Sequence, residues 1–299
     1  MEKNRTLFVG NTPIQQLSNI EKHFNLKCHL FAKLEKENPA GSVKDRAVME
    51  ILKDYQEKGV IHPGSTIIEA TSGNTGISLS AFGKELGYHI IIVMPASMSL
   101  QRRELIKSYG AELEIIDGNI QQCKDRAVEL NQQIPNSIIF GQFEHPANVL
   151  AHFRHTAPEI QIQVPDVTYV IAGFGTGGTI TGIGRYFKAN NKTVKVVGVE
   201  PKQSPLVTEG YANKHKIQGI GANFIPPILD QKMVDDFIAV DDEEAIQMAK
   251  LIYELEGLFV GISSGAALLG AINYIKKYNL EGEKIVIIFP DGGERYSWN

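Results

Sequence analysis

Cysteine is scarce in this sequence, and no hydrophobic run is long. The two cysteines, Cys28 and Cys123, stand far apart and form no CxxC pair, which excludes a disulfide framework and favours a reducing cytoplasm. The most apolar runs, residues 90–94 and 285–289, are far shorter than the roughly 20 residues needed to cross a bilayer. The first residues lack the apolar segment of a secretory signal. We therefore expect a cytoplasmic protein that does not span a membrane.

Metal-ligand clusters and basic stretches are missing as well. The eight histidines form no HxxxH or HxxEH pattern, so the sequence gives no support for a metal site. The net charge of −4 and the absence of a basic stripe give no indication of a nucleic-acid surface. A chain of 299 residues is long enough for two domains that share one cleft.

Short β-branched runs alternate with stretches of helical apolar spacing. The pattern predicts strands at residues 66–69, 89–94, 113–116, 137–140, 168–172, 194–199, 237–240 and 284–289. It predicts helices at residues 76–86, 100–109, 122–132 and 242–256. This alternation predicts an α/β fold with parallel sheets, because parallel neighbours need crossover helices.

Two further features bear on the organisation of the chain. A division is expected near residues 145–150, where His145 and Pro146 open a new segment. Residues 202–227 are rich in Gly, Pro and Asn and lack periodicity. They are expected to form a long functional loop that covers a cleft.

The first motif that carries chemistry is NPAGSVKDR at residues 38–46. Pro39 and Gly41 indicate a turn, and Ser42 could cap the helix that follows, which places Lys44 at the helix start. A solvated lysine is the simplest interpretation of Lys44 alone. A carbonyl cofactor, however, needs a lysine whose amine can be neutral and form an imine.

The second motif, EATSGNTG at residues 69–76, lies between a predicted strand and a predicted helix. Its hydroxyl and amide side chains add donors to the free amides of the helix N-terminus. Together they offer more donors than a helix cap needs. We therefore expect the motif to bind an anion, most naturally a carboxylate.

The third motif is a glycine-rich turn, GFGTGGTITG at residues 173–182. Gly173, Gly175 and Gly178 match GxGxxG, and Glu200 stands where a ribose-binding acid would be, so an NAD-binding oxidoreductase is one interpretation. Thr176 and Thr179 instead favour a single phosphate group. A fourth turn, GISSGAA at residues 261–267, is by itself no more than a helix start with small residues.

With QFEHPAN at residues 142–148 and HKIQGIGANFIPP at residues 215–227, these motifs resemble the cysteine synthase family. These are the O-acetylserine sulfhydrylases among the fold type II pyridoxal-phosphate enzymes, and they are related to cystathionine β-synthase. The matching blocks follow the order of the family across nearly the whole chain.

The resemblance implies a role for each matching residue. Lys44 would hold pyridoxal 5'-phosphate covalently and act as the catalytic base. The phosphate would be bound by Gly175, Thr176, Gly177, Gly178 and Thr179. Asn74 would bind the ring hydroxyl, and Ser263 the pyridine nitrogen. Thr71, Ser72, Thr75 and Gln142 would bind the substrate carboxylate, and Gly219 would line the substrate side.

The resemblance also implies the architecture. It predicts two three-layer α/β/α subdomains with mainly parallel sheets, like the tryptophan synthase β-chain. Residues 1–46 would cross to the larger domain and carry the cofactor lysine. Residues 47–148 would form a smaller mobile subdomain, and residues 149–299 the larger, phosphate-binding domain.

The implied reaction replaces the acetoxy group of O-acetyl-L-serine by sulfide through an α-aminoacrylate, giving L-cysteine and acetate. The expected assembly is a homodimer that could receive the C-terminal tail of a serine acetyltransferase. A cystathionine β-synthase or a cysteine β-lyase would use the same scaffold, so both stay open as alternatives. An NAD-binding protein leaves Lys44, Thr71–Thr75 and Ser263 without a role.

Overall fold

The computed structural model describes residues 5–71, 73–190, 193–296 and 298. In this part of the chain the strands are β1 (Ile14–Gln16), β2 (His29–Leu34), β3 (Thr66–Ala70), β4 (His89–Pro95), β5 (Glu112–Ile116), β6 (Ser137–Ile139), β7 (Tyr169–Gly173), β8 (Lys195–Pro201), β9 (Asp236–Val240) and β10 (Lys284–Phe289). The helices are α1 (Ser18–His23), α2 (Lys44–Glu57), α3 (Asn74–Glu85), α4 (Leu100–Ser108), α5 (Ile120–Gln133), α6 (Ala147–Ala151), α7 (Ala157–Gln163), α8 (Gly178–Asn190), α9 (Asp242–Glu256) and α10 (Ile262–Tyr278). A π-helical turn, His152–Thr156, joins α6 to α7.

The strands form two separate sheets. The larger sheet has the order β1-β2-β10-β7-β8-β9, and the smaller has the order β5-β4-β3-β6. Every neighbouring pair is parallel except β1 and β2. The prediction of an α/β fold with mainly parallel sheets is therefore confirmed.

Each sheet is covered by helices on both faces. In β10, Ile285 and Ile287 pack toward α9 and α10, while Val286 and Ile288 pack toward α7 and α8. The smaller sheet divides in the same way: Ile90 and Ile92 of β4 face α2, α3 and α4, whereas Ile91 and Val93 face α5. Alternate side chains of a strand point to opposite faces, so unbroken apolar runs are what such three-layer sandwiches require.

All eight strands predicted from the sequence are present, with ends that differ by at most two residues. The prediction that residues 202–227 form a loop is also confirmed, since they contain no helix or strand. Strands β1 and β2 were missed. Within the described residues, no helix combines the length and the apolar character that crossing a membrane requires.

The carboxyl ends of β3, β7 and β10 are followed by loops that meet in one cleft between the sheets. Residues after each of these strands line the same cavity. This is the edge at which open parallel sheets bind ligands.

Candidate active site

Lys44 is the first residue of α2 and lines the cavity, at the helix start that the sequence predicts. The Ser42 hydroxyl accepts a hydrogen bond from the Lys44 amide at 3.3 Å, although the cap position itself falls on Val43. Burial lowers the pKa of the Lys44 amine, and the nearby carboxylate of Asp291 opposes that shift. A lysine with a lowered pKa is suited to bond covalently to a carbonyl group.

The motif predicted to bind a carboxylate, EATSGNTG at residues 69–76, lies where β3 leads into α3. Thr71 and Thr75 are buried, and Asn74 is the first residue of α3. The Gly76 amide donates to the Gly73 carbonyl at 3.2 Å, which leaves the amides of Asn74 and Thr75 at this helix start for an anion in the cavity. Ser72, which the sequence also predicts to bind the carboxylate, lies outside the described residues.

Gln142 is held between two polar side chains of this region. Its Nε2 donates to Glu69 Oε1 at 2.8 Å, and its Oε1 accepts from the Thr75 hydroxyl at 2.6 Å. All three side chains are buried. The contacts fix which end of the Gln142 amide faces Thr75.

The glycine-rich turn connects β7 to α8. A Cβ added at Gly175 would lie 2.5 Å from the carbonyl oxygen of Gly219, and Gly177 has a φ of +82°. A side chain at Gly175 is therefore excluded by backbone, and one at Gly177 is disfavoured by conformation. The turn consequently presents bare backbone at the N-terminus of a 13-residue helix, which is typical of a phosphate site.

Two threonine hydroxyls complete this turn. Thr176 Oγ1 accepts from the Gly178 amide at 3.4 Å and from Asn148 Nδ2 at 3.3 Å, which leaves its own proton free to donate. Thr179 Oγ1 lies 3.1 Å from Nε2 of the buried His152. Both hydroxyls are therefore held in place by neighbouring side chains.

Ser263 lies in the first turn of α10 and lines the cavity beside Lys44. Its neighbour Ser264 is fully buried, does not line the cavity, and has a hydroxyl with no hydrogen-bond partner among the described residues. Of the two serines, Ser263 is therefore the one placed to meet a ligand.

Asp291, which follows β10, connects two elements of the site. Its Oδ2 accepts from Asn74 Nδ2 at 2.6 Å and from the Tyr296 hydroxyl. Arg295 Nη1 donates to Asn74 Oδ1 at 2.5 Å. Asn74 is thus fixed in orientation by a carboxylate on one side and a guanidinium on the other. Burial raises the pKa of Asp291, against the hydrogen bonds from Tyr296 and Asn74.

The structure brings nearly all of the sequence-predicted site residues to one place. A cavity of about 440 Å³ is lined by Lys44, Thr71, Asn74, Thr75, Gln142, Gly175, Thr176, Gly219 and Ser263. A small adjoining pocket of about 30 Å³ adds Gly177 and Thr179. Gly178 lines neither, because it packs against Asn148.

These residues fit pyridoxal phosphate. The bare turn and its two hydroxyls suit the phosphate group. Lys44 lines both the cavity and the adjoining pocket, so its amine lies within the same enclosure as the phosphate turn. Ser263 lines the same cavity and offers a hydroxyl, and Asn74 offers an oriented amide.

Glu200 does not behave as a ribose-binding acid. Its carboxylate is 1% exposed and accepts hydrogen bonds from the Val207 amide, the Thr208 amide and the Thr208 hydroxyl. Glu200 therefore anchors the loop that follows β8 and is not available to bind the ribose of a dinucleotide, which counts against the NAD-binding interpretation.

Four cavity or support residues were missed from the sequence: Glu69, Asn148, Asp291 and Arg295. Glu69 and Asn148 lie within recognised motifs but were given no role there. The sequence did contain a signal for Asp291, since it lies two residues after the end of the buried strand β10, at the edge where site residues gather.

Comparisons with known proteins agree with this geometry. The family model described as "Pyridoxal-phosphate dependent enzyme" matches residues 5–291. Cysteine synthase B of Campylobacter jejuni is 45% identical over 291 residues, covering 96% of this chain and 94% of that protein. Cystathionine beta-synthase of Apis mellifera is 41% identical over 298 residues, which is 96% of this chain but only 59% of that protein.

A solved structure gives the same result. The cysteine synthase of Entamoeba histolytica superimposes with a TM-score of 0.95 at 36% sequence identity, covering 99% of this chain and 89% of that one. Its likeness extends to both sheets and the cleft between them, since nearly the whole chain is covered. The chain belongs to the family of pyridoxal-phosphate dependent enzymes.

Proposed function

We propose that this protein is a cysteine synthase, which replaces the acetoxy group of O-acetyl-L-serine by sulfide and yields L-cysteine and acetate. The observation that carries the proposal is that Lys44, the predicted carboxylate-binding motif and Ser263 line one and the same cavity. Relatives with cysteine synthase names, at 45% and 38% identity, support it. Two solved sulfhydrylase structures that superimpose with a TM-score of 0.95 point the same way, so the cystathionine β-synthase alternative is not favoured.

The substrate carboxylate would bind at the N-terminus of α3. The Thr71 hydroxyl, the backbone amide of Thr75 and the other first amides of the helix would supply donors there, and the helix dipole favours a negative charge. Fixing the carboxylate at this point orients the amino group and Cα toward Lys44. Such positioning lowers the entropic part of the barrier.

Lys44 would act as the general base at Cα. The bound cofactor would supply the electron sink that makes the Cα proton acidic. Lys44 takes that proton, the acetoxy group leaves Cβ with its bonding electrons, sulfide forms the new C–S bond, and Lys44 returns the proton to Cα. The lowered pKa of Lys44 favours the neutral amine that these reaction steps need.

Ser263 would meet the ring nitrogen of the cofactor. A serine hydroxyl, unlike a carboxylate, does not stabilise a proton on that nitrogen. A hydroxyl at this position would make the bound cofactor a weaker electron sink, which would favour prompt departure of the β-substituent. The position of Ser263 in the cavity supports this assignment.

Steady-state kinetics test the proposed function. O-acetylserine, O-phosphoserine and serine are each paired with sulfide, thiosulfate and homocysteine, and the products are identified by chromatography. We expect the highest kcat/KM for O-acetylserine with sulfide. A higher kcat/KM with homocysteine than with sulfide would identify a cystathionine β-synthase. Release of sulfide from cysteine that is faster than the synthesis of cysteine would identify a β-lyase.

We also propose that the protein is a homodimer. Three large apolar residues have most of their surface exposed to solvent: Leu7 (73%), Phe8 (67%) and Ile162 (77%). The Asn11 amide donates to Glu159 of α7, so the N-terminal segment and α7 adjoin. Large apolar side chains that are this exposed are candidates for an interface. Sedimentation equilibrium of the wild type and of Ile162→Glu tests the assignment: a wild-type monomer would contradict it.

A serine acetyltransferase tail is the proposed macromolecular partner. Its terminal carboxylate would use the same donors at the start of α3, so a peptide ending in that tail should compete with O-acetylserine. Competition kinetics with the peptide test this proposal.

We also propose that the protein is located in a reducing cytoplasm. Cys28 and Cys123 support this location, because both are free thiols buried in separate cores.

A further inference from the structure

The hydrogen bonds around Gln142 place it in an unexpected orientation for a residue that binds a carboxylate. The Thr75 hydroxyl donates to Gln142 Oε1 at 2.6 Å, so its proton points at the amide and not into the cavity. The donor end of Gln142 faces Glu69 at 2.8 Å. A substrate carboxylate accepts hydrogen bonds only, and this arrangement directs two donors away from it.

Turning the Gln142 amide over would reverse both effects. Nε2 would then face Thr75 and donate to its hydroxyl oxygen, which frees the Thr75 proton for the substrate. The same rotation would bring Gln142 Oε1 against Glu69 Oε1. Two acceptors cannot share that contact unless Glu69 carries a proton.

We propose that Glu69 is the positioning residue of the carboxylate site, and that a proton taken up by Glu69 lets Gln142 turn its donor end toward the bound substrate. The proposal rests on the proposed function, because it assumes that an α-amino acid occupies the cavity. The proton comes from solvent and adds to Oε1. That oxygen then donates to Gln142 Oε1, while Oε2 keeps the hydrogen bond from the Gly141 amide, 3.2 Å long in the structure.

The surroundings of Glu69 allow both states near neutral pH. Burial raises the pKa of Glu69 to about 7, against the hydrogen bonds from Gln142 and Gly141. The exposed carboxylate of Glu144 also raises this pKa, and Lys124 on α5 lowers it. Tyr55 on α2 is the other titratable neighbour, and its own pKa is raised by burial and then by Glu69. A substrate carboxylate adds negative charge, which favours the protonated form further.

Calorimetry of L-alanine binding to the holoenzyme tests the proposal. L-Alanine carries the carboxylate but no β-leaving group, so it binds without losing a β-substituent. Titration in two buffers of different ionisation enthalpy gives the protons taken up. At about pH 8 we expect the wild type to take up more protons than Glu69→Gln, by a difference that approaches about one per site. At about pH 5.5, where Glu69 is already protonated, the difference should vanish.

Glu69→Gln is the informative variant because it is neutral at every pH. Its amide can donate to Gln142 Oε1, as protonated Glu69 would. Above about pH 7 the wild type should therefore lose affinity for L-alanine relative to Glu69→Gln, by up to about tenfold per pH unit. Equal proton uptake and equal pH dependence in the two proteins would overturn the proposal.

Two further variants separate positioning from a structural effect. Glu69→Leu neither donates nor accepts, so it should raise the KM of O-acetylserine several-fold and leave the KM of sulfide unchanged; an unchanged KM for O-acetylserine would count against positioning. Glu144→Gln is the matched control. It removes a neighbouring charge without touching Gln142, and it should lower the pH midpoint while it keeps the proton uptake. If Glu69→Leu does not fold, the Glu69→Gln comparison still decides.

The same design separates this proposal from the proposed function. Every α-amino acid carries the carboxylate, so the proton uptake with L-alanine is expected whichever β-substituent the enzyme replaces. Absence of cysteine from O-acetylserine and sulfide would reject the proposed function and leave the calorimetric result intact. Uptake that is independent of Glu69, in an enzyme that does make cysteine, would reject the positioning role alone.

Discussion

Arg46 and Glu159 form a doubly hydrogen-bonded ion pair, with Nη1 to Oε1 and Nη2 to Oε2 both at 2.7 Å. Arg46 Nε also donates to Glu35 at 2.7 Å, and the fully buried Lys33 reaches Glu159 at 2.7 Å. This cluster joins α2, which begins at Lys44, to α7 and to β2 of the larger sheet. It therefore fixes the helix start from which Lys44 projects.

Glu159→Gln should destabilise the protein by about 1.5–3 kcal/mol, because it removes the charge that Arg46 and Lys33 share, while Arg46 keeps its hydrogen bonds to Glu35. Denaturant unfolding measures the change in the free energy of unfolding. Asp166→Asn is the control, since the Lys284–Asp166 pair is exposed and its loss should have little effect. Equal stability of wild type and Glu159→Gln would contradict the structural role of the cluster.

The Glu159 carboxylate should also make the free energy of unfolding depend on pH in the acid range. Burial alone would raise the pKa of Glu159, but the hydrogen bonds and charges of Arg46 and Lys33 hold it at about 2. A group whose pKa is lowered by folding stabilises the protein above its unfolded pKa. That stabilisation is lost as the pH falls from about 4.3 toward about 2. In this pH range the free energy of unfolding should fall less steeply in Glu159→Gln than in the wild type.

The buried cluster also shows why part of the fold was not predicted. Eight strands were found because unbroken apolar runs indicate strands covered on both faces. β2 was missed although Leu30, Ala32 and Leu34 alternate toward the core, because Lys33 interrupts the run and a lysine is rarely fully buried. Its partner, Glu159, lies 126 residues away, and no local pattern contains that information.

The candidate site likewise has features that could be predicted from the sequence and features that could not. Motifs that join a strand to a helix were visible because glycines and hydroxyl residues are concentrated there, and the resemblance assigned their roles. The orientation of each amide was not visible. Asn74 is fixed by Asp291, 217 residues away, and Gln142 by Glu69, 73 residues away. Such hydrogen bonds arise only once both sheets are assembled.

Lys44→Ala should bind pyridoxal phosphate without a covalent bond and lose turnover by about 10²-fold or more. We expect this because Lys44 lines the cavity and the pKa of its amine is lowered. Borohydride reduction followed by mass spectrometry of peptides checks the assignment in the wild type. A cofactor adduct on any other lysine would refute it.

Gly175→Ala should weaken cofactor binding, because its Cβ would lie 2.5 Å from the Gly219 carbonyl. Relieving that overlap requires a backbone shift that costs about 1–3 kcal/mol, or roughly ten- to a hundredfold in affinity. Gly282→Ala is the control. Its site has open space and a φ of +74°, so it should lower stability slightly and leave cofactor affinity unchanged. Equilibrium dialysis of the apoenzyme with pyridoxal phosphate measures both.

Ser263→Asp should keep the fold but lower kcat by roughly tenfold or more. An acid is tolerated in the first turn of α10, yet it would stabilise a proton on the cofactor nitrogen and slow loss of the β-substituent. Ser264→Ala is the matched control, since that buried hydroxyl has no partner among the described residues. Unchanged kinetics in Ser263→Asp, with cofactor fully bound, would mean that residue 263 does not meet the nitrogen.

The final prediction concerns closure of the cleft on substrate. The Phe143 ring, which lines the cavity, lies 5.1 Å from the ring of Phe224 in the loop of residues 202–227. Lys124 Nζ of α5 stands 5.2 Å and 4.8 Å from these two rings. The contact therefore connects the smaller sheet and its helices to the loop on the far side of the cleft.

We expect residues 47–148 to move toward the rest of the chain when an amino acid binds, because the amides at the start of α3 are costly to leave unpaired once water is excluded. Phe224→Ala removes one ring of the contact across the cleft and should raise the KM of O-acetylserine several-fold. Tyr253→Ala, which removes an exposed ring from α9, is the control and should not change it. Crystals with and without L-alanine should differ in the angle between the two sheets, and by less in Phe224→Ala. Identical angles in the wild type would mean that the carboxylate site is formed before substrate arrives, and the free amides of α3 would then be satisfied by water in the open cavity.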